Sequence, residues 1–248
     1  TAGIWGVSGV VDAGPVAELA LAVDNDGNPQ IFYRDAGVAR LKLARFAGTW
    51  SVSVVENGAF RAGGLALDPD GRAAITYYDA ALGDLKYGRW TGSAWSTETV
   101  RSAGDVGRLS GLTLDAAQNP HIAYSDDSAP ALRFSSGTAG AWSDVVVEAA
   151  VSAASSPAVA VDANGLSVIA YAAAGSVKVA DVTPSGAVSV NALESPGFDS
   201  VGGLSLDGAG RPALVYRDAV ERDLMFALWT GAAFSTGTID SYGDQGEG

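Results

Sequence analysis

Acids and phenols recur along this chain at fixed spacing. Asp24, Asp68, Asp115, Asp162 and Asp207 each close a short apolar run, at intervals of 44, 47, 47 and 45 residues. Nine residues after each stands a tyrosine: Tyr33, Tyr77, Tyr124, Tyr171 and Tyr216. Two residues further, four copies carry a second acid, Asp35, Asp79, Asp126 and Asp218, where the fourth copy in order has Ala173. A ring of such carboxylates around a mouth could hold a cation. A carboxylate at a strand end also accepts backbone N–H bonds and fixes the turn that follows. Recurrence favours the second reading, because every copy meets the same folding problem and buried polar groups must be paired. The expected role of these acids and tyrosines is structural.

The remaining candidates for chemistry are few. DNDG at 24–27 and DPDG at 68–71 have the acid content of calcium loops, which need several oxygen ligands in register. Their sisters read DAAQ, DANG and DGAG, so hairpin turns explain all five and a metal explains two. No metal site and no cofactor are expected, calcium being the one ion the turns leave open. His121 is the only histidine and there is no cysteine, so no His/Cys metal centre can be built. A triad would need His121 beside a nucleophile and an orienting acid. Its sister positions hold Gln30, Ala74, Val168 and Ala213, and a lone base at a variable place reads as incidental. Glycoside hydrolysis needs two acids roughly 5 to 10 Å apart. Asp84, Asp105, Asp127, Asp199 and Glu221 are the loop candidates, and none falls on the first strand of a copy, whose channel positions are Ala, Leu, Thr and Ser. No catalytic residue is assigned, and the chain reads as a non-enzyme.

Four short strands per copy would position these residues. The first reads LALAV, GLALD, GLTLD, AVAVD or GLSLD, and a turn rich in Asp, Asn, Gly and Pro follows. The second carries the tyrosine, with Ile31, Tyr33 and Asp35 on one face because strand side chains alternate. The third carries Leu41, Leu85, Leu132, Val177 or Leu224, and the fourth opens on Trp50, Trp95, Trp142, Val188 or Phe234. Four strands in 44 to 47 residues is the period of propeller blades. The expected fold is therefore all-β: a five-bladed β-propeller of four-stranded antiparallel blades in one domain over 1–248. The blades are expected at 17–56, 64–101, 111–148, 157–194 and 203–240. A sixth candidate for a fourth strand, IWGVSGVVD at 4–12, is left over. It is expected to close the ring in place of 233–240, or to remain as a spare edge that pairs with another molecule or a neighbouring repeat. Trp50, Trp95 and Trp142 read as packing between blades, and Trp90 and Trp229 as partly exposed ends of third strands.

Composition excludes several partners. Of the 248 residues 48% are apolar, enough for a packed core, and the net charge of −13 comes with no basic cluster. Nucleic acid, which demands a basic groove, is excluded as a ligand, and no apolar run is long enough to span a bilayer. The stretch LDPDGRAAITYYDAALGDLKYGRW at 67–90, with copies at 114–134 and 206–229, resembles a repeat common in secreted bacterial proteins. That repeat reads LALD-x-x-G-x-P-x-I-x-Y-x-D, then DLKYA, then W-x-x-E-x-V-D. Copies one, two, three and five follow it, and copy four departs with AYAAAG. The resemblance implies a propeller on an exported protein, extracellular, cell-surface or periplasmic, and implies almost no reaction chemistry. The architecture is similar to that of tachylectin-type sugar-binding propellers, whose residue motifs are absent here. A lectin-like or protein-binding module is the expected function, with a spacer domain of a larger surface protein and a glycosidase as alternatives. The most variable segments, NGAFRAGG (57–64), SAGDVGRLSG (102–111) and ESPGFDSVGG (194–203), read as loops on one face. Loops on a rigid scaffold commonly bind, so Phe60, Arg61, Asp105, Arg108, Phe198 and Asp199 are the candidate surface for a glycan or protein ligand.

Overall fold

The computed structural model describes residues 11–138, 140–153, 155–193, 198–218 and 220–241, with the side chains of Thr138, Phe198 and Asp199 excepted. Among them there is no helix, and the strands form five four-stranded antiparallel sheets. Blade 1 comprises β1 (Val16–Val23), β2 (Pro29–Asp35), β3 (Arg40–Phe46) and β4 (Trp50–Asn57). Blade 2 comprises β5 (Phe60–Leu67), β6 (Ala73–Asp79), β7 (Asp84–Trp90) and β8 (Trp95–Arg101). Blade 3 comprises β9 (Val106–Leu114), β10 (Pro120–Asp126), β11 (Ala131–Thr138) and β12 (Ala141–Ala149). Blade 4 comprises β13 (Ala158–Val161), β14 (Ser167–Ala173), β15 (Ser176–Val182) and β16 (Val188–Ala192). Blade 5 comprises β17 (Phe198–Leu206), β18 (Pro212–Asp218), β19 (Leu224–Trp229) and β20 (Phe234–Asp240).

Inside each blade the chain pairs each strand with the next. The first turn explains why. Oδ1 of Asp24, Asp68, Asp162 and Asp207 accepts the amide N–H two and four residues on, and Asp115 accepts that of Asn119, at 2.8 to 3.0 Å. One carboxylate thus satisfies the turn's free donors, which is the structural role expected of it. The second acid acts likewise. Asp35, Asp79, Asp126 and Asp218 accept loop amides from Gly37, Ala81, Ala129 and Val220. Blade 4 has no such acid because its turn is shorter. Ala173 pairs directly with Ser176, and the two residues between, Ala174 and Gly175, both have positive φ (53° and 76°). That is the compact hairpin turn in which no loop amide is left to cap.

The core lies between blades. Phe32, Leu41 and Leu43 of blade 1 pack on Ile75 and Tyr77 of blade 2, with Leu65 and Leu67 beside them. Leu85 and Tyr87 meet Leu112, Ile122 and Tyr124 at the next joint. Leu132 and Phe134 meet Ile169 and Tyr171, and Val177 and Val179 meet Leu214 and Tyr216. Every residue of β6, β10 and β14 is buried, since each central blade is covered on both faces. The recurring tyrosines end in acids: Tyr33, Tyr77, Tyr124 and Tyr171 donate to Asp12, Glu56, Asp144 and Glu148 at 2.5 to 2.6 Å. Burial first, and the adjoining carboxylate second, push all four phenols well above their ordinary range.

Three expectations are corrected. The first strands of blades 2, 3 and 5 begin at Phe60, Val106 and Phe198, not at 64, 111 and 203, so most of each supposed loop is strand. Register shifts between Ala62 and Leu65, between Tyr124 and Asp126, and between Phe198 and Ser200 accommodate the extra length. A bulge absorbs a residue without ending the ladder, and it has no sequence signature of its own. The place of 233–240 in blade 5 is taken by β20, which pairs with β19, so 4–12 does not substitute for it. Residues 4–10 lie outside the described residues. Finally, the first strands are not free of charge where they line the central channel: Glu18, Arg61 and Arg108 line it too.

Candidate functional site

The five first strands surround one cavity of about 480 Å³, to which every blade contributes. This channel brings Arg61 and Arg108 together with Glu18. Glu18 sits at a bulge between Ala17 and Leu19, with φ of 48°, which turns its carboxylate across to blade 2. It accepts from Arg34 of its own blade (2.8 Å) and, in blade 2, from Arg61 (3.3 Å) and the Ala62 amide (3.2 Å). Arg108 pairs with Asp127 at 2.6 Å. Asp105 accepts the Tyr78 hydroxyl at 2.7 Å, and burial raises that phenol to about 12. Phe60 lies edge-on to Tyr77 at 5.4 Å, half-buried in the joint between blades 1 and 2. Phe198 and Asp199 fall in β17. The four candidates with described side chains are therefore already engaged: Arg61 reaches blade 1 and Asp105, before blade 3, reaches back to blade 2, while the Arg108–Asp127 pair stays within blade 3.

His121 also has partners. Its Nδ1 lies 2.7 Å from Ser167 Oγ in blade 4, and its Nε2 lies 3.5 Å from Asp115 in blade 3. A serine, a histidine and an acid thus meet, contrary to the expectation of an incidental residue. Ser167 is only 1% exposed, so its hydroxyl cannot reach a substrate. Desolvation lowers the imidazole pKa, and Asp115 opposes this only in part. The set is a polar weld between blades, its imidazole held toward the neutral form. Serine at 167 was its one sequence signal, since the sister positions hold Pro29, Ala73, Pro120 and Pro212.

The less obvious site lies at the rims of the joints, on one column of the third strand: Arg45, Arg89, Ser136, Asp181 and Leu228. Between blades 1 and 2, Arg45 lays its guanidinium 5.0 Å from the centre of the Trp90 ring. Its Nε and Nη2 are buried without a hydrogen-bond partner among the described residues, and burial lowers its pKa. Between blades 2 and 3, Arg89 reaches Asp68 (3.3 Å) and the Gln118 carbonyl (3.2 Å). Both joints are plugged by arginine. Between blades 4 and 5 the same place holds Asp181, which is too short to cross the cleft. A cavity of about 260 Å³ remains there.

That cavity has an apolar wall and a polar rim. Val179, Trp229 and Phe234 line one side, and Trp229 and Phe234 brace each other edge-on at 5.1 Å. Asp181, Asn191 and Arg211 line the other. Burial pushes the Asp181 carboxyl up, and no hydrogen bond or ion pair engages it among the described residues. Arg211 is half exposed, and its guanidinium pairs with Asp207 through Nε and Nη2, each at 2.7 Å. Asp162, a second acid in the wall, spends Oδ1 on the Asn164 and Leu166 amides. Sequence reasoning missed this site because the column becomes visible only when blades face each other. Its signal was a polar position that holds Arg45 before Trp90 of the next copy and Asp181 before Trp229 of the next copy.

Comparison with solved structures shows the class of protein the fold defines, a β-propeller. The chain is similar to the Aleuria aurantia lectin in complex with Fucα1-6GlcNAc: 14% identity, TM-score 0.63, over 91% of this chain and 79% of that one. It is also similar to a Dyadobacter fermentans protein of unknown function: 11% identity, TM-score 0.64, over 91% and 83%. A Hadza microbial sialidase matches at 10% identity and TM-score 0.62, over 91% of this chain and 59% of the sialidase. No family model and no curated protein matches the sequence.

Proposed function

We infer that the chain is a carbohydrate-binding propeller without catalytic activity, and that the cleft between blades 4 and 5 is its binding site. The observation that carries this reading is the exchange of an arginine plug for Asp181, which leaves a monosaccharide-scale cavity beside Trp229. An indole face suits the C–H face of a sugar ring, while a carboxylate, an amide and a guanidinium suit its hydroxyls. The volume lies just below the usual range for small-molecule sites, in keeping with a single small ring. A sugar-bound lectin of the same fold supports the ligand class. A sialidase of the same fold keeps hydrolysis as the competing reading. Against hydrolysis, the second acid of the cleft, Asp162, is committed to its turn, whereas glycoside hydrolysis uses two available carboxyl groups. Export to the cell surface or beyond belongs to this reading and rests on the repeat resemblance and the absence of cysteine.

A glycan array probed with the 248-residue protein tests it. Binding to at least one glycan is expected. Asp181→Arg should then cost at least tenfold in affinity, about 1.4 kcal/mol. That variant recreates the side chain found at the same place in blade 1, so the joint should still fold. Silence across the array would end the lectin reading, and binding unchanged in Asp181→Arg would place the site elsewhere.

A further inference from the structure

Blades 1 and 5 each show one face that no other blade covers. In blades 1 to 4 the first leucine or valine of the third strand (Leu41, Leu85, Leu132, Val177) is 0% exposed, sealed by the following blade. Its counterpart in blade 5, Leu224, is 43% exposed, with Val215 at 36% and Leu228 at 43% on the same sheet. Beside them Leu204, Leu214 and Phe226 line an almost wholly apolar groove. On the other side, Leu21 and Val23 of β1 are 61% and 57% exposed. Their counterparts in blade 2, Leu65 and Leu67, pack into the joint with blade 1. The two free faces are thus the two halves of the interface used at all four internal joints.

These halves do not belong to each other. Tyr77 of blade 2 donates to Glu56, the penultimate residue of the fourth strand of blade 1, 21 residues earlier. Tyr171 and Lys178 of blade 4 likewise hold Glu148, at the end of the fourth strand of blade 3. Around blade 1 that place is filled by Asp12, 21 residues before Tyr33, which takes the Tyr33 hydroxyl at 2.6 Å and Lys42 Nζ at 2.8 Å. If blade 5 packed directly on blade 1, Asp240 at the end of β20 would fill it; Asp240 is exposed. Tyr124 differs, donating to Asp144 of its own blade. Asp12 thus takes toward blade 1 the place that the preceding blade's acid takes toward blades 2 and 4, with no described blade behind it.

We propose that the faces of blades 5 and 1 receive a sixth blade, whose first three strands are a segment of this same repeat. One side of the incoming blade presents the leucine–isoleucine–tyrosine pattern to Leu224, Phe226 and Leu228. Its other side presents the third-strand leucine and aromatic to Leu21 and Val23. A second copy of the chain cannot substitute, because all five of its first-to-third strand sets are already built into blades. Blade 1 of one copy on blade 5 of another would be a head-to-tail contact, which closes only if its rotation permits.

The probe is a peptide of residues 60–90, the first three strands of blade 2, added to the 248-residue chain. One-to-one binding is expected, with a higher Tm and a loss of fluorescence from an apolar-surface dye. The same segment joined after Gly248 by a flexible linker should give both effects without added peptide, which removes the cost of ordering a free peptide. Leu21→Glu and Leu224→Glu should each weaken capture at least tenfold. Both side chains are exposed in the free chain, so far-UV circular dichroism should be unchanged. Leu82→Glu, at an exposed loop leucine, should bind as the parent does. No effect of the segment in either form would overturn the proposal. So would capture insensitive to both face variants, or sedimentation showing that the unmodified chain self-associates through those faces.

Discussion

At the scale of single residues, the molecule separates acids that build from acids that are free. Asp144 shows the first kind. Burial would raise its carboxyl, but Arg133 and Tyr124 outweigh burial and hold it below the usual range. Asp181 shows the second, raised by burial with nothing to offset it. His121 gives a residue-scale prediction. Its folded pKa lies below the ordinary 6.5, so the unfolded chain takes up the proton first. The stability it contributes is complete above about pH 6.5 and is lost as pH falls through the lower folded value. Tm should therefore fall as pH drops below about 6.5, and His121→Gln should flatten that part of the curve. An identical slope in the variant would show that the weld to Ser167 does not control it.

At the scale of strands and turns, much was legible and the exceptions have physical causes. The Asp-to-Tyr interval fixes the first turn and the second strand, because one carboxylate must reach two amides and the next strand must alternate. Ala173 was visible as a departure, but the two-residue turn behind it was not, since positive φ at Ala174 leaves no mark in residue type. The bulges behind Arg61 and Arg108 were equally silent, which is why those arginines read as loop residues. Partners from different blades, such as His121 and Ser167, are 46 residues apart and needed the assembled blades. Close approach of first strands yields a second prediction. A Cβ on Gly111 would lie 2.1 Å from the Pro157 carbonyl oxygen, with backbone on both sides unable to yield cheaply. Gly111→Ala should cost roughly 1 to 3 kcal/mol in chemical denaturation. Gly208→Ala, with nothing within 4 Å, should stay within about 0.5 kcal/mol. Equal effects would mean that the two strands are not in contact.

At the scale of the whole molecule, burial is uneven around the axis. β6, β10 and β14 are buried along their length, whereas β18 is buried at only two of its seven residues. Local opening should follow that gradient. Amide exchange in β6, β10 and β14 should be slowest and set by global unfolding, while β18 and β19 should exchange faster. Uniform protection across all five blades would contradict the exposed face of blade 5. The bulk numbers had already limited the ligand class: at a net charge of −13, with Arg61 and Arg108 neutralised by acids, there is no cationic track for a polyanion.

The arginine of blade 1 leaves a last consequence. Arg45 keeps two buried nitrogens unsatisfied, while the joint carrying Asp181 instead assembles a full apolar cluster. Occupancy of that one column is thus decoupled from folding. If the cleft binds as proposed, valency could be set a single codon at a time, each change opening or corking one socket while the blades stay as they were.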